Sequence, residues 1–207
     1  MLKKIYSAGL AICLSSCSVI GINSTPEAKY STIKKEDNYA IRDYQPLIEA
    51  QITITDSNYK TAVNKGFMQL FKYITGANTV KQQISMTTPV LTKKKSQDIV
   101  MTSPVFINDN ENAWTIAFVL PDSYTLKAAP TPTNEDIKLI EKPQKKVAVI
   151  SFNGFMNKNS IDKNTKKLKI WISDNKLQEI GKPMAAAYNP PWTIPFWRRN
   201  EILIEVK

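Results

Sequence analysis

Met86-Thr87-Thr88-Pro89-Val90 and, fifteen residues further on, Met101-Thr102-Ser103-Pro104-Val105 are two copies of one short phrase. Proline cannot donate to a β ladder, so each Thr-x-Pro-Val predicts a strand edge or a strand end. The long, unbranched methionine beside it is suited to filling an irregular apolar surface. A third phrase, Tyr-Asn-Pro-Pro-Trp at 188–192, leads into Arg-Arg-Asn-Glu at 198–201. The copied phrases therefore indicate that strands pass through this part of the chain.

Strand signals dominate the rest of the sequence. Residues 50–55 alternate in polarity, and residues 114–120 place large side chains at every second position, on one face. Residues 147–152 and 202–206 are further β-branched runs. We expect a strand in each of these four stretches.

Two stretches instead have helical spacing. Residues 60–74 place five apolar side chains on one face, and Gly-Ala-Asn at 76–78 ends the helix. In residues 160–173, Ser160 is the predicted N-cap. The two predicted core faces consist of Val63, Phe67, Leu70, Phe71 and Ile74 in the first helix and Ile161, Thr165, Leu168 and Ile172 in the second.

The two halves of the chain share one order of elements. Residues 39–46 precede the strand near 50, and residues 136–143 precede the strand near 149. The prolines that end these segments, Pro46 and Pro143, are 97 residues apart, and the two helices are offset by a similar distance. Strand–strand–helix–strands, repeated, predicts one α+β domain with pseudo-two-fold symmetry.

The front of the chain has the features of an export signal. Lys3 and Lys4 precede a largely apolar stretch at 5–14. That stretch is shorter than the roughly 20 residues that span a bilayer, and it is typical of a secretory signal. Leu-Ser-Ser-Cys at 14–17 resembles a bacterial lipobox, in which the cysteine thiol receives the lipid. An ordinary signal peptide with a cysteine near its cleavage site is the alternative.

We therefore predict a lipoprotein signal peptide at 1–16, a lipidated Cys17 with a flexible tether at 17–37, and one folded domain at 38–207. We expect the domain to be lipid-anchored at the bacterial cell envelope. Ser18 after the cysteine resembles the outer-membrane sorting pattern, so in a double-membraned bacterium we expect the domain at the periplasmic face of the outer membrane. Both cysteines of the chain lie in the front segment, so we expect no disulfide in the domain.

The chain lacks residues that several common catalytic sites require. The chain contains no histidine, which excludes Ser-His-Asp triads, Cys-His dyads and histidine zinc sites. The six glycines form neither a dinucleotide fingerprint nor a phosphate loop. Because these usual catalytic residues are missing, we expect no catalytic residue, no metal ligands and no enzymatic activity.

The formal net charge of +10 comes mostly from lysine, with clusters at 93–95, 142–146 and 163–169. One interpretation is attraction to an anionic surface or ligand. The other is a solvated lysine-rich face. The chain has three arginines and an export signal, so we do not expect a nucleic-acid partner.

Several of these phrases together resemble the SOUL/haem-binding protein family. The resemblance rests on Tyr-Ala-Ile-Arg-Asp-Tyr at 39–44, on residues 71–78 at the end of the first helix, on both Met-Thr-x-Pro-Val phrases, and on the phrases at 188–192 and 198–201. It covers the chain from Tyr39 to Val206. It implies an α+β fold, a distorted β-barrel of two pseudo-two-fold-related halves flanked by two helices.

Members of that family bind haem or related tetrapyrroles on a shallow hydrophobic surface that involves the first helix. Carried over by position, the resemblance implies a wall of Val63, Phe67, Met68 and Phe71, with Lys72 as a propionate partner. Without histidine, the haem iron is expected to be open or held by Met, Tyr or Lys. We expect weak, largely hydrophobic binding that tolerates metal-free porphyrin. The alternative is that the aromatic residues of this wall belong to the core.

Other residues of the phrases have two interpretations each. Arg198 and Arg199 are expected to tie the C-terminal strand to carboxylates that include Glu201, or else to contact an anionic ligand. The methionines of the copied phrases are expected to pack under strand ends, or else to approach a haem edge. The aromatic segment at 192–197 caps a pocket or closes the barrel.

The predicted function is that of a monomeric, envelope-anchored protein that binds haem or another tetrapyrrole and buffers or carries it. One alternative is a lipoprotein with the same fold that binds a different ligand or a protein partner. A second alternative is an enzyme acting on tetrapyrroles or lipids.

Overall fold

The computed structural model describes residues 26–95, 113–190 and 192–207. These residues form one antiparallel sheet of nine strands with two α-helices and a short 3-10 helix. Cys17 and the second copied phrase, at 101–105, lie outside the described residues. The elements are β1 (Tyr30–Glu36), β2 (Tyr39–Tyr44), β3 (Leu47–Thr55), α1 (Tyr59–Ile74), β4 (Thr87–Lys95), β5 (Ala113–Val119), β6 (Lys138–Lys142), β7 (Lys145–Phe152), α2 (Lys158–Asp174), β8 (Met184–Ala187), the 3-10 helix Pro195–Trp197 and β9 (Asn200–Glu205).

The sheet is symmetric about its centre. Its strand order is β1-β2-β7-β9-β8-β4-β5-β3-β6. Apart from β1, the elements β2 to β5 with α1 correspond in order to β6 to β9 with α2. The first strand of each half pairs with a strand of the other half: β2 pairs with β7, and β6 pairs with β3. The sheet curls into a half-barrel, and the predicted α+β fold of two similar halves is confirmed.

Both faces of the curled sheet are packed. On one face, α1 covers a cluster around Leu70 and Ile116, and α2 covers a separate cluster around Leu168. On the opposite face, side chains from both halves meet in one cluster that contains Val119 and Val149. Neither α1 nor α2, the α-helices of the described chain, combines the length and apolar character needed to cross a bilayer.

The strands predicted at 50–55, 114–120, 147–152 and 202–206 and both predicted helices are present in the structure. Helices α1 and α2 begin one and two residues earlier than predicted. The N-cap of α2 is Asn157 rather than Ser160: the Asn157 side chain accepts from the backbone N–H of Ser160, and the Ser160 hydroxyl accepts from the N–H of Asn157. Both residue types are good N-caps, so composition alone did not decide where the helix begins.

The prediction of a tether as far as residue 37 is wrong for β1. Tyr30–Glu36 pairs along its length with β2. Nearly every side chain of the strand is exposed, so backbone hydrogen bonds hold it to the sheet and its composition stays as polar as that of a tether. The folded domain therefore begins before residue 38.

The first copied phrase also differs from its prediction. Pro89 lies inside β4, an inner strand between β5 and β8, rather than at a strand edge or end. The register with β5 shifts between Thr87 and Val90, so the proline sits at a bulge, where its missing N–H is tolerated.

Candidate ligand-binding surface

Helix α1 lies unusually close to the sheet because of one glycine. A Cβ atom at Gly66 would stand 2.7 Å from Ile116 Cδ1 on β5. The buried residues of α1 are Ala62, Gly66, Leu70, Tyr73 and Ile74. The two small residues of this set, Ala62 and Gly66, let the helix pack closely against the sheet. They therefore determine which face of α1 is turned to the core.

The predicted core face of α1 is therefore partly wrong. Leu70 and Ile74 are buried as expected, but Phe71 is 41% exposed and the neighbouring Met68 is 53% exposed. Phe67 is half-buried, and its ring meets Phe118 of the sheet edge-on, with centroids 5.2 Å apart. The helix thus carries apolar side chains that the core does not use.

The structure brings most of the predicted binding residues to one side of α1. The rings of Phe67 and Phe71 stack with centroids 6.1 Å apart and planes 10° apart. Met68 and Lys72, four residues apart, adjoin this pair on the helix surface, and both are exposed. Val63 is half-buried one turn before Phe67. These side chains form the α1 surface, an apolar area with a lysine at its edge.

A buried polar cluster, the Glu201 cluster, lies elsewhere in the sheet. Glu201 on β9 has no exposed surface, and its carboxylate accepts two hydrogen bonds from Arg42 on β2, at 2.7 and 2.9 Å. Glu201 also accepts hydrogen bonds from Tyr188 Oη at 2.6 Å, Arg199 Nε at 3.0 Å and Ser151 Oγ at 3.1 Å. The cluster joins strands from both halves of the chain.

The charges of this cluster stabilise one another. Burial alone would raise the pKa of Glu201, but the hydrogen bonds and charges of Arg42 and Arg199 outweigh it and lower the pKa. Burial raises the pKa of the Tyr188 hydroxyl well above its usual value, so Tyr188 remains a donor to the carboxylate. These contacts favour an ionised Glu201, whose carboxylate joins the strands around it.

The two C-terminal arginines, Arg198 and Arg199, have different partners in the structure. Arg199 pairs with Glu201 and with Glu27, which confirms the interpretation as a structural network. Arg198 instead donates to the carbonyl of Thr193 at 2.8 Å, and its guanidinium lies over the Phe155 ring. The sequence analysis did not predict that Arg42 pairs with Glu201. The only sequence signal for Arg42 is its place in the phrase at 39–44.

A cavity of about 460 Å³ opens between β3, β4 and the end of β6. Glu49 lines it and is only 2% exposed, and its Oε1 has no hydrogen-bond partner among the described residues. Its Oε2 accepts from Gln51 and lies 3.9 Å from Lys142 Nζ. The cavity, named here the Glu49 cavity, was not predicted, because Glu49 stands in an ordinary strand pattern.

Two other predictions concern the copied phrases and the aromatic segment. Met86 packs against the cluster under α1, as expected for its packing interpretation, and Met101 lies outside the described residues. In the aromatic segment, Trp192, Phe196 and Trp197 are all exposed, so they do not belong to the buried core. Within residues 26–95, 113–190 and 192–207, no group of three His, Cys, Asp or Glu side chains is placed to hold a metal ion.

Known proteins share this sequence pattern and fold. Residues 25–205 match the SOUL heme-binding protein family. The chain is 27% identical to Homo sapiens heme-binding protein 2 over 169 residues, which cover 80% of this chain and 76% of that protein. It is 24% identical to Xenopus laevis heme-binding protein 1 over 194 residues, covering 89% and 93% of the two chains.

Among solved structures, the C-terminal domain of EcmrR has a TM-score of 0.60 to this chain at 12% identity, and the match covers 86% of this chain and 98% of that one. A likeness at that identity shows the fold alone. The fold is thus that of a two-fold, curled antiparallel sheet with one helix on each half. Because the family match extends over most of the sequence, the chain belongs to the SOUL heme-binding protein family.

Proposed function

We propose that this protein binds haem or another tetrapyrrole on the α1 surface and buffers or carries it, without catalysing a reaction. The observation that carries the proposal is the exposure of Phe71 and Met68 beside Lys72. A flat macrocycle needs apolar contact for its rings and a cation for its carboxylates, and these residues fit both needs. Exposed apolar side chains that adjoin one another can mark a ligand-binding surface.

The roles of the residues follow from their positions. Phe71 and Met68 would contact the macrocycle, and the half-buried Phe67 would support Phe71 from the core side. Lys72 would pair with a propionate. Bound haem would supply redox and ligand-binding chemistry at its iron. The chain has no histidine to coordinate that iron.

A haemin titration followed by Soret absorbance tests this proposal on the chain from Ser18 onward. We expect a saturable shift, weakened about fivefold by Phe71→Ala, because roughly 1 kcal/mol of apolar contact is lost. Lys72→Ala should weaken haemin but leave haemin dimethyl ester unchanged, since the ester has no carboxylate. Metal-free protoporphyrin should bind comparably to haemin.

Ile170→Ala is the matched control. Ile170 is 63% exposed on α2 and corresponds to Phe71, because the N-caps Asn58 and Asn157 are also 99 residues apart. Equal losses in Phe71→Ala and Ile170→Ala, or uptake that never saturates, would contradict a specific site on α1.

The Glu49 cavity supports a second candidate function, the binding of a different small ligand. A buried carboxylate oxygen with no partner among the described residues is costly unless something donates to it. A ligand N–H or O–H would satisfy Glu49 while Lys142 and Lys145 at the rim attract an anionic group. Glu49→Gln belongs in the same titration: haemin binding that Phe71→Ala weakens and Glu49→Gln leaves unchanged would keep haem on the α1 surface and leave this cavity to a different ligand, whereas a loss of haemin binding in Glu49→Gln alone would contradict a separate ligand here.

We further propose that a lipid on Cys17 holds the domain at the cell envelope, at the periplasmic face of an outer membrane. The support is the lipobox-like phrase at 14–17 and Ser18. Several acyl chains on one cysteine would give stable attachment. Flotation of the purified chain with lipid vesicles, strongly reduced in Cys17→Ser, tests this anchor.

A further inference from the structure

Five large apolar side chains are exposed at one place in the fold. Two loops supply them, the one after β7 and the one between β8 and β9. The members of this aromatic patch are Phe155 at 62% exposure, Trp192 at 65%, Ile194 at 41%, Phe196 at 73% and Trp197 at 47%. An exposed apolar patch on a soluble domain commonly marks a surface for a membrane or a partner.

The two loops form a single ordered surface. The backbone N–H of Gly154 donates to the carbonyl of Pro195 at 2.8 Å, and the side chain of Asn153 donates to the carbonyl of Phe196 at 3.1 Å. The Arg198 guanidinium lies 5.3 Å from the centre of the Phe155 ring. These contacts hold the two loops, and so the side chains they carry, on one side of the fold.

The composition of the patch matches a phospholipid interface. Tryptophan is enriched where hydrocarbon meets headgroups, because its ring is apolar and its N–H is polar. Segments 153–158 and 192–198 contain two basic residues, Lys158 and Arg198, and no acidic residue. Cations beside exposed aromatic rings favour anionic headgroups.

The chain enters the fold beside the patch. Glu27 pairs with Arg199 at 2.8 Å, and Arg199 follows Trp197 by two residues. The ten residues from Cys17 to Glu27 span at most about 35 Å. A lipid on Cys17 would therefore hold the patch within reach of the bilayer that contains it.

We propose that the aromatic patch inserts into the interfacial layer of a phospholipid bilayer and is a second membrane contact besides the lipid on Cys17. This rests in part on the proposed envelope anchor, and it fixes how the domain is oriented on the membrane. Insertion of Trp192, Phe196 and Trp197 removes apolar surface from water, and Lys158 and Arg198 meet the headgroups.

Tryptophan quenching by brominated lipids tests the position of the patch directly. The full chain is bound to vesicles of phosphatidylcholine and phosphatidylglycerol with brominated acyl chains. We expect strong quenching that is lost in the Trp192→Phe, Trp197→Phe double variant, which retains Trp114 and Trp171. In the Cys17→Ser background, replacing Phe155 and Phe196 by Ala should weaken vesicle partitioning about tenfold.

The control and the outcomes separate the patch from the anchor. Val80→Ala, at another exposed apolar residue, should leave partitioning unchanged, and far-UV circular dichroism checks that each variant is folded. A chain that floats with vesicles while Trp192 and Trp197 remain unquenched overturns the inference and leaves the anchor standing. A chain that does not float at all overturns both, while the haemin titration still decides ligand binding.

Discussion

Glu201 shows how one buried residue joins the two halves of the molecule. Its main partner, Arg42, belongs to the first half, and Glu201 itself lies on the last strand. Both groups have lost most of their contact with water, and each compensates the other. Removing one partner of such a pair leaves a buried charge without compensation, which costs about 3–5 kcal/mol.

Glu201→Gln should therefore lower the free energy of unfolding by about 3 kcal/mol at pH 7. Urea denaturation followed by far-UV circular dichroism measures it. Glu179→Gln is the control, because Glu179 pairs with Lys169 in a more exposed ion pair whose loss should cost less than about 1 kcal/mol. Similar costs for the two variants would contradict the structural role of Glu201.

The same variant gives a pH dependence with a definite sign. The pKa of Glu201 is lowered in the folded protein, so the unfolded chain binds its proton more readily. Its contribution to stability is fully present above the unfolded pKa of about 4.3 and is lost as the pH falls through the folded pKa. Wild type should lose more stability than Glu201→Gln between neutral pH and about pH 3.

At the scale of the element, α1 depends on the absence of a side chain at Gly66. Alanine normally stabilises a helix interior by about 1 kcal/mol relative to glycine. Here the added Cβ would stand 2.7 Å from Ile116 Cδ1, inside a packed core. Overpacking of that kind costs about 1–3 kcal/mol, so the steric effect should decide the sign.

We predict that Gly66→Ala destabilises the domain by about 1 kcal/mol or more. Ile116→Val removes Cδ1, the nearest of the atoms that the new Cβ would meet, but keeps a γ carbon at the position 2.9 Å away. The relief is therefore partial, and the double variant should be somewhat more stable than the sum of the two single changes implies. Urea denaturation of the four proteins measures this coupling. Stabilisation by Gly66→Ala alone would mean that α1 lies further from β5 than the structure has it.

Gly66 also explains what the sequence predicted of α1 and what it did not. The length of the helix and its termination at Gly76 followed from spacing and from the glycine signal. The face did not follow, because periodicity counts large apolar residues, whereas Ala62 and Gly66 contribute by being small. Phe71, which periodicity assigns to the core, is consequently 41% exposed.

The polar elements show the opposite limitation. Strand β1 has an exposed, polar sequence and is held by backbone pairing to β2, so no side-chain pattern reveals it. Arg42 and Glu201 are 159 residues apart, and their pairing depends on the strand order of the whole sheet. Local sequence patterns therefore do not predict contacts that depend on the strand order of the whole sheet.

At the scale of the whole molecule, neither half has a complete sheet of its own. The pairing of β2 with β7, and of β6 with β3, makes each half depend on the other. We predict that the domain unfolds as one cooperative unit and that fragments separated between β5 and β6 are unfolded alone and refold when mixed.

Native-state hydrogen exchange measures this cooperativity. The slowest amides of α1 and α2 should exchange with the same free energy, equal to that of global unfolding. Protection of one helix that persists while the other exchanges freely, or a well-dispersed NMR spectrum from either isolated fragment, would show that the halves are independent.

The exchange of first strands also bears on the origin of the chain. A half-length ancestor with the same exchange could complete its sheet only by joining a second, identical copy, so duplication and fusion of one gene would convert that dimer into the present single chain. Such a fusion would free the two copies to diverge: Phe71 on α1 corresponds to Ile170 on α2, and Lys72 to Trp171, which packs inward. The two helix surfaces are therefore no longer equivalent: both carry an exposed apolar side chain, but the exposed lysine of α1 is matched on α2 by a tryptophan that packs inward.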